Sequence, residues 1–191
     1  WYNDTMRNTF NIVLLIFIVL VAFIIYSAFK NYSDNKLTPQ EVSVTNFEEC
    51  VLAGNPIMES YPRQCNHLGT NFTENVGNII EKQDLIRVSS PQPNATITSP
   101  LVVKGEARGT WFFEASFPIT IVNWDGLIIG EGIAQADGEW MTEEFVPFTA
   151  TVTYTFASTT PYNRGSIILK KDNPSGEPQF DDALEYPIKL Q

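Results

Sequence analysis

An uninterrupted apolar stretch near the start of the chain, Ile12 to Phe29, places the strongest constraint on how this chain can fold. No charged side chain occurs from Asn8 through Phe29. At about 1.5 Å per residue, a helix over this stretch nearly spans a hydrocarbon core of roughly 30 Å. The sequence therefore predicts one transmembrane anchor, residues 10–29, behind a short N-terminal tail, residues 1–9.

The same stretch has a second interpretation, as a secretory signal peptide that is removed after export. Arg7 precedes the apolar stretch, as it does in signal peptides. The stretch is long for a signal core, however, and a cut after Ala28 would leave bulky Tyr26 where a small residue is preferred. We favour the uncleaved anchor and leave cleavage open.

The cysteines decide on which side of the membrane we expect the rest of the chain. Arg7 precedes the anchor while Lys30 and Lys36 follow it, so the positive-inside rule does not favour export of the C-terminal part. Cys50 and Cys65 both follow the anchor, and an isolated close pair is typical of one disulfide formed in an oxidising compartment. We expect a single-pass protein of the cell membrane whose C-terminal domain is extracytoplasmic.

A polar linker, residues 30–45, leads to a two-cysteine segment, residues 46–78. A short helix is predicted at its start by a capping-box spacing, either Asn46 with Glu49 or Thr45 with Glu48. Gly54 ends this helix. The segment is too small to hold a core alone, and a disulfide closing its loop would stabilise it by roughly 3 kcal/mol. A zinc site is the alternative use of the thiols, but His67 is the only histidine, which leaves a poor set of ligands.

From Leu85 onward the apolar residues alternate with period two, which is typical of strands with one buried face. The clearest case, Pro147–Phe156, places five apolar residues on one face: Phe148, Ala150, Val152, Tyr154 and Phe156. Further strands are predicted at Ile86–Ser90, Ala95–Thr98, Leu101–Ala107, Trp111–Phe117, Ile119–Trp124, Leu127–Ala136, Ser166–Lys171 and Tyr186–Leu190. Asp125-Gly126 and Asp137-Gly138 indicate hairpins. The sequence predicts a mainly β fold, with a β-sandwich over residues 86–190 after a linker at 79–85.

Several stretches of this half also resemble the immunoglobulin-like domain of bacterial spore germination proteins. The matching stretches are Ile86–Asn94, Ser99–Ala107, Trp111–Ala115, Gly138–Met141, Phe145–Phe148 and Asp172–Gly176. The resemblance implies an immunoglobulin-like sandwich outside the membrane, used as an accessory or binding module of the bacterial cell envelope. Because both cysteines lie outside this region, aromatic packing must replace the inter-sheet disulfide of antibody domains.

The function expected from these observations is non-catalytic binding or scaffolding, with no cofactor. The membrane is one partner, through the N-terminal helix, and an envelope protein or a glycan is the other. Nucleic acid is not expected, because 22 acidic residues against 12 basic ones give a net charge of −10.

The residues predicted for a binding face are Trp111, Phe112, Glu114, Trp124 and Trp140. The aromatic residues are either core, which we favour, or a stacking platform for sugars. Alternation in the predicted strand Trp111–Phe117 places Trp111 and Glu114 on opposite faces. We favour a buried, hydrogen-bonded structural role for Glu114, with Arg108 or an indole N–H as its donor.

Two other chemistries stay open on the sequence. A carbohydrate-active hydrolase would use a pair from five glutamates, Glu114, Glu131, Glu139, Glu143 and Glu144. No metal site is predicted, although one oxygen-rich loop is a weak candidate for calcium, with Asp172, Asn173, Glu177, Asp181 and Asp182 as ligands.

Overall fold

The computed structural model describes residues 2–34, 43–157 and 162–191. Residues 35–42 of the predicted linker at 30–45 lie outside the described residues. The chain divides into two compact units, Trp1–Ser43 and Val44–Gln191.

The first unit contains one helix, α1 (Tyr2–Asp34). The large apolar side chains described along it, from Leu14 to Phe29, are exposed. The predicted transmembrane anchor, residues 10–29, lies within α1, and among the helices that the structure describes none combines the length and the apolar character needed to cross a bilayer.

The second unit begins with the two-cysteine segment, which folds as α2 (Phe47–Leu52) followed by a three-stranded antiparallel sheet. The strands are β1 (Ile57–Met58), β2 (Gln64–His67) and β3 (Thr70–Thr73). The predicted N-cap is confirmed, because Asn46 Oδ1 accepts the backbone N–H of Glu49 at 2.8 Å. The Glu49 carboxylate in turn accepts from the N–H and the hydroxyl of Thr45, at 2.7 and 2.8 Å. Gly54 follows the helix with φ of +81°, as its predicted role in ending the helix requires.

Cys50 and Cys65 form a disulfide that ties α2 to β2, which confirms the predicted pairing. Both cysteines are fully buried and pack with Phe47 in a small core, against which Val44 and Phe72 also pack. Since both thiols are oxidised, the zinc alternative is excluded.

The strand domain follows after α3 (Ile79–Lys82), a short helix within the stretch predicted as a linker. Its strands are β4 (Ile86–Ser90), β5 (Thr96–Ile97), β6 (Leu101–Arg108), β7 (Ser116–Asn123), β8 (Ile128–Ala136), β9 (Phe145–Tyr154), β10 (Arg164–Lys170) and β11 (Ala183–Leu190). They form one eight-stranded sheet in the order β4-β6-β9-β8-β7-β10-β11-β5. All neighbours are antiparallel except β11 and β5.

This sheet curls around a single hydrophobic core, so the predicted sandwich is realised as two faces of one continuous sheet. Ile86 of β4, Ile97 of β5 and Phe148 of β9 share the same core cluster. Phe148 also packs edge-on against Phe117 of β7, with ring centroids 4.9 Å apart. Aromatic packing therefore joins strands that no disulfide joins.

The predicted strand Trp111–Phe117 is wrong. Gly109–Trp111 form a 3₁₀ turn, and Phe113 and Ser116 bond each other across a tight turn with N···O distances of 3.0 Å. The two residues between them, Glu114 and Ala115, have φ of +50° and +60°, which a strand does not allow.

Candidate binding surfaces

The structure separates the five predicted binding residues. Trp111 and Phe112 are both buried in the core, so neither ring projects from the surface. Glu114 is exposed in its tight turn, which overturns the expected buried role. Trp140 and Trp124 remain at least partly accessible, but they lie at opposite ends of the strand domain.

The end that carries Trp140 is strongly acidic. Three loops lie together there, at residues 109–115, 137–144 and 171–182. They do so because the strands that they join all end at this end of the domain. These loops contain only one basic residue, Lys171, and nine acidic residues: Glu114, Asp137, Glu139, Glu143, Glu144, Asp172, Glu177, Asp181 and Asp182. We call this part of the domain the acidic end.

A shallow hollow of about 550 Å³ opens at the acidic end. It is lined by Gly109, Thr110, Phe112, Trp140, Met141, Thr142 and Glu143, and we call it the Trp140 hollow. Gly109 is fully packed, because a Cβ at this position would overlap the backbone oxygens of Trp140 and Thr142. The 3₁₀ turn therefore lies directly against the Trp140–Thr142 loop. This contact leaves Met141 projecting with its side chain exposed.

The guanidinium of Arg108 fixes the same loop from the side. Its Nη1 donates to the backbone oxygen of Glu143 at 2.9 Å, and its Nε donates to that of Asp84 at 3.1 Å. The guanidinium also lies over the Phe145 ring, 4.2 Å from its centroid. Arg108, which the sequence offered as a partner for Glu114, instead positions the Trp140 hollow.

The opposite end of the domain carries the β7–β8 hairpin, whose turn was predicted from Asp125-Gly126. Asn123 closes the turn, with Oδ1 accepting the N–H groups of Asp125 and Leu127 at 3.0 and 2.9 Å. Trp124 stands beside Tyr162, with ring centroids 5.0 Å apart. A hollow of about 430 Å³ lies there, lined by Asn123, Trp124, Tyr162, Arg164, Gly165 and Ser166.

Tyr162 and Arg164 were not predicted as site residues. They reach Trp124 only because β10 pairs with β7, placing Gly165 opposite Asn123. No local pattern in the sequence indicates that pairing.

The glutamates of the alternative hydrolase are all exposed. Glu131 lies in β8 between Thr120 and Thr153 of the neighbouring strands. Glu139 accepts the N–H of Met141 at 3.3 Å, and Glu143 lines the Trp140 hollow.

The calcium candidates are engaged with groups of the protein. The Asn173 amide donates to Asp181 Oδ1 at 3.0 Å and to the Glu177 backbone oxygen at 2.9 Å. Asp182 forms an ion pair with Lys82 of α3 at 2.6 Å. Across the described ranges, no group of three or more histidine, cysteine, aspartate or glutamate side chains is placed to hold a metal ion.

The curled eight-stranded sheet, with hollows between its end loops, defines a mainly antiparallel β domain. Residues 85–176 match the family model of the immunoglobulin-like domain of bacterial spore germination, which confirms the resemblance drawn from the sequence. The match lies in the C-terminal half of the chain, and β11, beyond the matched residues, completes the sheet. No match was found among curated proteins or among solved structures. A domain of this type suggests a binding or scaffolding module.

Proposed function

We propose that this protein is a membrane-anchored, extracytoplasmic binding module of the bacterial cell envelope, without catalytic activity. The observation that carries the proposal is the Trp140 hollow, in which Trp140 and exposed Met141 stand among acidic loops. Exposed aromatic and methionine side chains supply adaptable apolar contact, and the surrounding carboxylates attract a basic surface. The partner we favour is therefore an envelope protein with a basic contact surface, and a glycan is the other candidate.

Anchoring by α1 is supported by the apolar stretch Ile12–Phe29. The large apolar side chains described from Leu14 to Phe29 are 37% to 72% exposed. Leaving such an apolar surface in contact with water is unfavourable. Lipid around the helix would cover it. The extracytoplasmic location is supported by the Cys50–Cys65 disulfide, since such bonds persist in oxidising compartments.

The absence of catalysis is supported by how the reactive groups are used. The only histidine, His67, lies in the two-cysteine segment with its Nδ1 3.0 Å from Asn55 Nδ2. Both thiols are oxidised, so neither is a nucleophile. The five glutamates lie exposed at the surface rather than enclosed in a site that would exclude water.

Site-specific photocrosslinking in cells of the native host tests the binding surface. A benzophenone side chain at Met141 of the full chain should give a discrete adduct, and the same group at Ile133, exposed on β8, should not. Trp140→Ala should weaken the Met141 adduct while the domain stays folded. Mass analysis of the adduct separates a protein partner from a glycan. No adduct at Met141, or equal adducts at both positions, contradicts the proposed surface.

Thiol labelling tests the location. In intact cells, Cys50 and Cys65 should react with an impermeant maleimide only after reduction. Labelling of both thiols without reductant contradicts an extracytoplasmic domain.

A further inference from the structure

We infer that the end of the domain opposite the acidic end contacts a lipid surface through the β7–β8 hairpin. The contact surface consists of Trp124, Leu127 and Ile128, with Tyr162 and Arg164 beside them, and we call it the hairpin tip. The inference rests on the proposed function, since the lipid is that of the membrane to which α1 anchors the chain.

The hairpin tip exposes three large apolar side chains to solvent. Trp124 is 49% exposed, Leu127 63% and Ile128 54%, all within one hairpin. The Asn123 side chain holds the turn through two backbone N–H groups, so these residues project from a fixed support. Contiguous exposed apolar side chains of this kind mark an interaction surface.

The types of side chain at the hairpin tip suit a headgroup region better than a soluble partner. Tryptophan and tyrosine concentrate at membrane–water interfaces, because each ring is apolar and carries one polar group. Arg164 extends beside the Trp124–Tyr162 ring pair and offers a cation that suits lipid phosphates. The aliphatic side chains of Leu127 and Ile128 supply the remaining apolar contact with the lipid.

Charge distribution sets which end can approach an anionic lipid surface. The described loop residues at the hairpin end, 91–100, 124–127, 155–157 and 162–163, contain a single acidic residue, Asp125. Two basic residues, Arg164 of β10 and Lys189 of β11, are cross-strand neighbours at this end. Helix α2 adds two acidic residues nearby, Glu48 and Glu49. The hairpin end is thus nearly balanced in charge, whereas anionic lipid would repel the nine acids of the acidic end.

The path of the chain agrees with this orientation. Val44, the first residue of the second unit, packs against the small core beneath α2. Phe47 and Glu48 of α2 line one hollow together with Asn94 and Lys189, so α2 lies where β11 ends. The second unit therefore begins at the end of the strand domain that carries the hairpin tip.

Tryptophan quenching by brominated lipids tests the contact on the full chain in phospholipid vesicles. The fluorescence emission of Trp124 is obtained by subtracting the emission of Trp124→Phe from that of the wild type. The same subtraction with Trp140→Phe gives the emission of Trp140, at the acidic end. We expect acyl-brominated lipid to remove about half or more of the Trp124 emission, since interfacial residues sit near the acyl boundary, and to leave the Trp140 emission unchanged. The double variant Leu127→Ser with Ile128→Ser should lose this quenching, while Ile133→Ser should keep it.

Equal quenching of Trp124 and Trp140, or none of either, overturns the inference. A shift of the Trp124 emission by soluble N-acetylglucosamine oligomers without lipid quenching also overturns it, because the hairpin tip would then bind a glycan. Sedimentation with vesicles after an alkaline wash reports the anchor separately. Retained sedimentation with an unquenched Trp124 removes only this inference, whereas lost sedimentation removes the membrane-anchored function.

Discussion

Glu74 receives two hydrogen bonds from Arg63, from Nε at 2.8 Å and from Nη2 at 2.6 Å. The Glu74 side chain is buried, although Arg63 is half-exposed. Asn94 of the strand domain donates its Nδ2 to the same carboxylate at 3.1 Å. One buried charge therefore connects the two-cysteine segment to the strand domain. The hydrogen bonds from Arg63 hold the pKa of Glu74 below its usual value, although burial opposes them.

Replacing the Glu74 carboxylate should make the free energy of unfolding vary less with pH in the acid range. Glu74→Gln keeps the shape but loses the charge-assisted bonds, so we expect a loss of about 2 kcal/mol in the free energy of unfolding at neutral pH. Because the folded pKa is lowered, the contribution of Glu74 is present above the ordinary carboxylate pKa and fades as pH falls through the folded one. Urea unfolding at several pH values measures the gap between the two proteins. Glu59→Gln, an exposed change in the same segment, is the control. A gap that does not narrow in acid contradicts the assignment.

Gly77 should tolerate no side chain. Its φ is +66°, and a Cβ there would overlap the backbone of Glu185 and Tyr186 in β11. Gly126, in the β7–β8 turn, has φ of +78° but open space around it. Gly126→Ala should cost only the left-handed backbone penalty, about 1–2 kcal/mol, whereas Gly77→Ala should cost clearly more and free the segment from β11. Thermal unfolding compares the two variants, and limited proteolysis after Gly77→Ala locates the release. Equal losses would show that the close approach to β11 does not matter.

Strand positions were predictable wherever the alternation of buried and exposed residues along the sequence follows the two faces of the strand. In β9 the predicted inward residues Phe148, Ala150, Val152 and Tyr154 are buried, because one face of the strand lies against the core. The turn at Asp125-Gly126 was predictable for a similar reason, since glycine supplies the positive φ that the turn requires.

The candidate surfaces were much less predictable. The turn at Glu114-Ala115 takes positive φ without glycine or asparagine, so no residue type marks it, and the period-two alternation of the sequence continues through it. The hairpin tip needs Arg164 of β10 and Tyr162 just before that strand, and only the non-local pairing of β10 with β7 brings them to Trp124. Trp124 itself was predicted as a site residue, but its neighbours depend on topology.

Reduction should loosen the two-cysteine segment while the strand domain stays folded. The disulfide lies in a small core cluster of three buried residues, Phe47, Cys50 and Cys65. The strand domain has a separate, larger core. Cys50→Ser with Cys65→Ser should therefore cost the segment roughly 3 kcal/mol. Hydrogen exchange should show lost protection in β2 and β3 and unchanged protection in β6 and β9. Loss in all four strands would contradict separate stabilisation of the two cores.

Tyr186 should make the strand domain sensitive to alkali. Its side chain is fully buried, and its hydroxyl donates to the backbone oxygen of Pro91 at 3.1 Å. Burial raises the pKa of Tyr186 well above its ordinary value, so the fold keeps the proton that the unfolded chain releases near pH 10. The stability due to this group is complete below about pH 10 and is lost as pH rises towards the folded pKa. Tyr186→Phe should cost about 1 kcal/mol at neutral pH, for the lost hydrogen bond. It should also lose less stability than the wild type between neutral and strongly alkaline pH, because phenylalanine has no proton to release. Parallel slopes of melting temperature against pH for the two proteins would show that Tyr186 does not couple folding to alkali.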